Sequence, residues 1–291
     1  MGTAVNQAKG LLRIVRSTPA QVGDGFEIRR GMPGPGIQAI NPFLVLDHAG
    51  PTRVESSDRQ RGVDEHPHKG FETVTVLLQG EIEHRDSAGN SGLLKPGDVQ
   101  WMTAGSGLVH EEKHGADFTR QGGTLELVQL WVNLPAARKS TPPGYQDIRA
   151  EDIPTVELPD GGGSARVIAG ELNGTIGPAR TFTPVALQEL RLNPGVEVTI
   201  RRPDGHTTGL YGIRGAVELA EGEILREGEL AGYDLDGDYI TLRPLEESRV
   251  LLLGGEPIDE PVASYGPFVM NTEEEIRQAI ADYRAGKMGS L

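Results

Sequence analysis

The sequence predicts an all-β protein of two related halves, closed by a short C-terminal helix. Three observations carry that reading. The 40 glycines and 20 prolines fall at short intervals between brief apolar runs, as expected of many strands joined by turns. One order of strand, hairpin, turn and strand occurs twice along the chain. Helical periodicity is clear only in the tail.

Taken in order, the strand candidates are "FLVLD", "FETVTVLLQG", "LELVQLWVNL", "VEVTI", "GLYGI", "ITLRPL" and "RVLLLGG", most of them bounded by Gly, Pro, Asn or Asp. The stretch "PAARKSTPPGYQDIRAEDIPTVELPDGGGSA" is rich in Pro, Gly and charge and reads as the connection between the halves. This places a first domain at residues 1–138 and a second at 139–291, the latter including the connection and the terminal helix. The repeated order is "LLQGEIEHRDSAGNSGLLKPGDVQWM" in the first half and "YGIRGAVELAEGEILREGELAGYD" in the second. Gly80 answers to Gly215 and Gly97 to Gly228. In the tail, "NTEEEIRQAIADYRAGK" offers a capping box of Thr272 with Glu275. Ile276, Ile280 and Tyr283 share one helix face, and Gly286 is the stop.

The 28 basic against 42 acidic residues give a formal charge of −14, which disfavours direct nucleic-acid binding. The short basic runs "LRIVR" and "IRRG" read as solvated surface. There is no cysteine, so disulfides, thiolate metal sites and thiol nucleophiles are excluded, and a reducing cytoplasm fits. The N-terminal residues lack the apolar core of a signal peptide. Gly2 is followed by Asn6 where a myristoylation motif requires Ser or Thr. No apolar run approaches membrane-spanning length, so a cytoplasmic protein is expected.

The chemistry concentrates in "DEHPHKGFE". On a strand, alternate side chains share a face, so His66 and His68 point together. Downstream, "TAGSGLVHEEKH" sets His110 and Glu112 at the same spacing, with Glu111 facing away. Three imidazoles and one carboxylate from two strands suit a first-row metal: iron, copper, manganese, nickel or zinc. An octahedral ion so held keeps two positions open for substrate, water or dioxygen. Pro67, which cannot donate to a ladder, is tolerable where its nitrogen faces a free strand edge. The second half has only His206, with no partner at strand spacing.

The segment from "HPHKGFETVTVLLQG" to "TAGSGLVHEE" resembles the N-terminal signature of the pirin family, within the cupin superfamily. "NPFLVLDHAG", "VQLWVNLP" and "GGEPIDEPVASYGPFVMNTEEEI" also resemble pirin segments, so the likeness covers nearly the whole chain. The resemblance implies two tandem cupin domains, jelly-roll-like β-barrels, with one metal ion in the first only. That metal is usually iron, with Fe2+ expected here. The family pattern maps the ligands onto His66, His68, His110 and Glu112. The general cupin form HxHxxxE also admits Glu72, whose parity along the strand leaves it facing the site, as an outer partner or alternative ligand.

Other candidates read as ordinary structure. His48, His84 and His114 are expected to be hydrogen-bonded or exposed. Trp101, Met102 and Trp131 are core candidates, some of which could line a cavity above the metal. "GPGIQA" fits a dinucleotide fingerprint, but Pro35 and Pro42 argue against the helix it needs. No GxSxG elbow is present.

The resemblance implies a metal-dependent dioxygenase of the quercetin 2,3-dioxygenase type, acting with O2 on a flavonol or similar enol, with Glu112 both ligand and base. It also implies the alternative of an iron-dependent, redox-sensing regulator that binds a transcription factor or metabolic enzyme. An isomerase or hydrolase is the third reading, since a fold alone does not choose the chemistry.

Overall fold

The computed structural model describes residues 6–24 and 26–291. Most of its regular structure is β, as the turn spacing predicts. The myristoylation reading at Gly2 lies outside the described residues.

Two compact units form. The first comprises Pro19–Arg30, Val45–Ala150 and Ile258–Leu291. Its larger sheet has seven strands in the order Gly144–Ile148, Val99–Thr103, Phe71–Gln79, Gly123–Asn133, Phe43–Val54, Phe26–Met32 and Thr18–Val22. A four-stranded sheet, Gly62–His68, Leu108–His114, Ile82–Asp86 and Ser91–Leu94, is antiparallel throughout. Leu77, Leu125 and Leu127 of the larger sheet pack with Ile82 and Leu94 of the smaller one. The two sheets are thus the walls of one barrel.

The second unit comprises the described residues up to Thr18, with Gly31–Leu44 and Glu151–Pro257. It repeats the plan with a seven-stranded sheet and a four-stranded one. The smaller sheet runs Val198–Arg201, Tyr239–Pro244, Ala216–Glu218 and Ile224–Arg226. Its core joins Leu190, Leu210, Val250 and Leu252 to Val198, Ile200 and Leu242. The paired glycines correspond in detail. Gly80 and Gly215 have φ of 88° and 81°. Gly97 donates its N–H to the Leu77 carbonyl and Gly228 to that of Gly212, three residues before each turn glycine, both at 2.8 Å.

The division of the chain differs from a single cut after residue 138. Gly144–Ile148, inside the presumed connection, pairs with Val99–Thr103 and so completes the first unit's sheet. The terminal helix, Glu273–Arg284, packs with the first unit through Ile276 and Ala279 against Val109 and Phe268. Conversely, the strand Leu11–Arg16 pairs with Glu229–Tyr233 in the second unit. Composition finds flexible-looking residues, whereas unpaired sheet edges decide where a segment docks. The helix has the expected capping box of Thr272 and Glu275.

Candidate metal centre

The opening histidine pair lies at the end of Gly62–His68, opposite Leu108–His114. His110 is the cross-strand partner of His66, and Leu108 that of His68. Cross-strand neighbours share a sheet face, so His66, His68 and His110 converge. The Nε2 atom of His66 lies 3.1 Å from that of His68 and 2.9 Å from that of His110. Two nitrogens held at right angles about 2.1 Å from one ion sit about 3.0 Å apart, so the spacing fits adjacent corners of an octahedron.

The protonation states agree. Burial and the other imidazoles hold His68 and His110 well below the ordinary imidazole value, so both are neutral at pH 7 and have a lone pair to offer. The His66 Nδ1–H donates to the Asp64 carbonyl at 2.7 Å, which leaves Nε2 as the donor atom toward an ion. His68 Nδ1 lies 3.4 Å from the Pro267 carbonyl. His66 is half-exposed while His68 and His110 are buried, so the cluster opens to solvent on the His66 side.

Glu112 follows on the same strand but stands apart from the imidazole trio. Gln129 Nε2 donates to both of its carboxylate oxygens at 3.0 Å, and the Thr75 hydroxyl lies 3.4 Å away. A register shift between His110 and Glu112 separates the two positions. The structure therefore gathers three of the four expected ligands and holds the fourth side chain by Gln129 and Thr75.

The parity argument for Glu72 fails. The strand ends at His68, and Gly70, at φ +87°, turns the chain before Phe71–Gln79 begins. A Cβ at Gly70 would lie 1.9 Å from the Val269 carbonyl oxygen, so only glycine fits. After this turn Phe71 and Thr75 face the site: the Phe71 ring is 5.1 Å from His68, and Thr75 reaches Glu112. Glu72 alternates to the opposite face, where it accepts a 2.6 Å hydrogen bond from Thr103. Burial raises its carboxyl to about 7, against the pull of the Thr103 bond.

The remaining histidines lie outside the cluster. His48 is buried beside Glu126 and Arg29. His84 stacks on Tyr145 at 5.1 Å. His114 sits edge-on to Phe26 and Phe118, and burial takes it down to about 4. Of the large core candidates, Trp131 lines the site, 5.5 Å from His68 and 4.3 Å from Phe71. Trp101 pairs with Val74, on the Glu72 face of the sheet.

Sequence reading missed several supporting groups. Gln129 shares a face with the candidate Trp131 by simple alternation in "LELVQLWVNL", which is signal enough to have found it. Lys139 had no such signal. Its buried ammonium donates to the carbonyls of Gly70 and Val269 and to Asn133 Oδ1, at 2.8, 3.0 and 2.8 Å. It thereby ties the turn after His68 to the C-terminal strand Phe268–Met270, and burial lowers it to about 8.

Two barrels of one plan, one of them with convergent imidazoles, define a bicupin with a candidate metal centre in its first unit. The chain belongs to the pirin family: the profile described as Pirin matches residues 25–132, and that of the pirin C-terminal cupin domain matches residues 187–289. Human pirin is 35% identical over 290 residues, covering 98% of this chain and 96% of its own length. A Pseudomonas aeruginosa protein provisionally named a quercetin 2,3-dioxygenase is 48% identical over 267 residues, 91% of this chain and 93% of that protein. A crystal structure of quercetin 2,3-dioxygenase from Acinetobacter baumannii superposes with a TM-score of 0.94 at 44% identity, covering 98% of this chain and 99% of that one. Among the described residues no helix is long and apolar enough to cross a membrane.

Proposed function

We propose that the protein is a metal-dependent dioxygenase that cleaves a flavonol, or an enol of similar chemistry, with O2. The convergence of three Nε2 atoms carries the reading, and the likeness to proteins named quercetin 2,3-dioxygenase supports it. His66, His68 and His110 would hold the ion, with Fe2+ the expected metal, and Glu112, two residues along the strand from His110 and held by Gln129, would supply the fourth ligand. A metal there supplies Lewis acidity toward an enolate or phenolate oxygen and redox chemistry with dioxygen.

The protein groups do the rest. Glu112 accepts the proton of the substrate hydroxyl at a carboxylate oxygen, and Gln129 and Thr75 aim that carboxylate. Phe71 and Trp131 form an aromatic wall beside His68, suited to a planar ring and to excluding water. The buried imidazoles of His68 and His110 are neutral, so each would offer a lone pair to an ion. The site is expected to work in the cytoplasm.

The test is spectroscopic. Protein loaded with Fe2+ without oxygen, then given quercetin and O2, should bleach the flavonol absorbance and release carbon monoxide. Identical slow loss with wild type and His66→Ala would end this reading.

A further inference from the structure

Among its described residues the second unit has no imidazole cluster, yet it holds a cavity of about 480 Å3, a volume in the range of small-molecule sites. Arg201, Arg202 and His206 line it, together with the apolar Leu172, Pro184 and Val185. Its place in the fold is telling. Arg201-Arg202-Pro203 ends the strand Val198–Arg201 just before Gly205, φ +78°. His66-Pro67-His68 likewise ends its strand just before Gly70, φ +87°. The second barrel therefore sets arginines where the first sets histidines.

Arg202 is the unusual group. Val198 and Ile200 point into the core, and Arg202 continues that inward row. It is 4% exposed, and its Nε is buried with no hydrogen-bond partner. Burial draws the guanidinium down to about 10 and no carboxylate pulls it back, so it remains a cation at pH 7. The other charges nearby are spoken for. Arg201 pairs with Asp238 at 2.9 Å. The Lys9 ammonium donates to the carbonyls of His206, Asp234 and Leu235. Glu171, also on the lining, is exposed and accepts from the Gly174 N–H. Burial and Arg202 hold His206 below the ordinary imidazole value, a neutral hydrogen-bonding group.

A buried cation without a counter-charge is costly unless something completes it. We propose that the second unit binds a small organic monocarboxylate, its carboxylate on the Arg202 guanidinium and its apolar part against Leu172, Pro184 and Val185. A planar carboxylate matches the guanidinium fork. One free positive charge with Glu171 at the rim favours a monoanion over a phosphate dianion. The site is independent of the metal chemistry proposed for the first unit.

The experiment uses the full chain, with benzoate as probe in calorimetric titration and thermal melting. Benzoate should bind wild type and raise its melting temperature, and Arg202→Met should weaken binding by about 10- to 100-fold. Without ligand, Arg202→Met should melt no lower than wild type, because it removes an unpaired buried charge. That result separates lost binding from lost folding. His66→Ala should bind benzoate as wild type does, whereas loss there would place the carboxylate at the histidines and overturn the proposal. Equal melting shifts in wild type and Arg202→Met, no binding to wild type, or inorganic phosphate binding as tightly as benzoate would also overturn it.

Discussion

The first barrel interior gathers three imidazoles, with a carboxylate held by an amide next along the strand, whereas the second is filled by Leu, Ile and Val and ends in a guanidinium. The strand order of the smaller sheet and the turn glycines are the same in both. The scaffold is thus indifferent to what its strand ends present. The difference in chemistry lies in a few inward positions, which is why fold alone leaves function open.

Two buried acids, Glu189 in the larger sheet of the second unit and Glu72 in that of the first, behave oppositely. Glu189, fully buried, bonds Arg166 and Arg249 at 2.9 Å and Arg191 at 3.0 Å. Burial alone would raise its carboxyl, but the arginines overcome this and hold it below the usual 4.5. Removing that acid leaves uncompensated cations, so Glu189→Gln should lower stability by about 3–5 kcal/mol in denaturant titrations at pH 7. Because the folded value is depressed, this contribution is present above about 4.5 and fades as the pH falls through the folded value.

Glu72 breaks the symmetry in the other direction. Its folded value of about 7 lies above the usual 4.5, so the native state keeps a proton that the unfolded chain has lost. Stability should decline as pH rises from about 4.5 to about 7 and then level, a change of about 3 kcal/mol. Glu72→Gln should flatten that decline, and an unchanged pH profile would show that the carboxyl is not held as described.

Much of this was legible. The duplicated plan, the capping box and the shared face of His66 and His68 follow from short periodicities and turn residues, which act within a few residues, and the pairing of that face with His110 came from the pirin resemblance. The docking of the tail on the first unit and the turning of Glu72 do not. Both depend on Gly70, whose left-handed turn between two strands breaks the alternation. The support from Lys139 and from the Pro267 carbonyl comes from across the unit, and no local pattern encodes it.

Smaller effects sharpen the contrast further. Gln129→Leu makes the first barrel resemble the second at one inward position, and should weaken metal affinity by about 10- to 100-fold in competition with a chelator. Thr272→Ala removes the side-chain bond to the Glu275 N–H and should cost about 1 kcal/mol.

The central claim is that one barrel binds a metal through its histidines and the other does not. Metal analysis of protein purified without chelators tests it most directly, on wild type, His110→Ala and His206→Ala. The account predicts one equivalent per chain in wild type and in His206→Ala, and none in His110→Ala. Full metal content in His110→Ala, or loss of metal in His206→Ala, would contradict it.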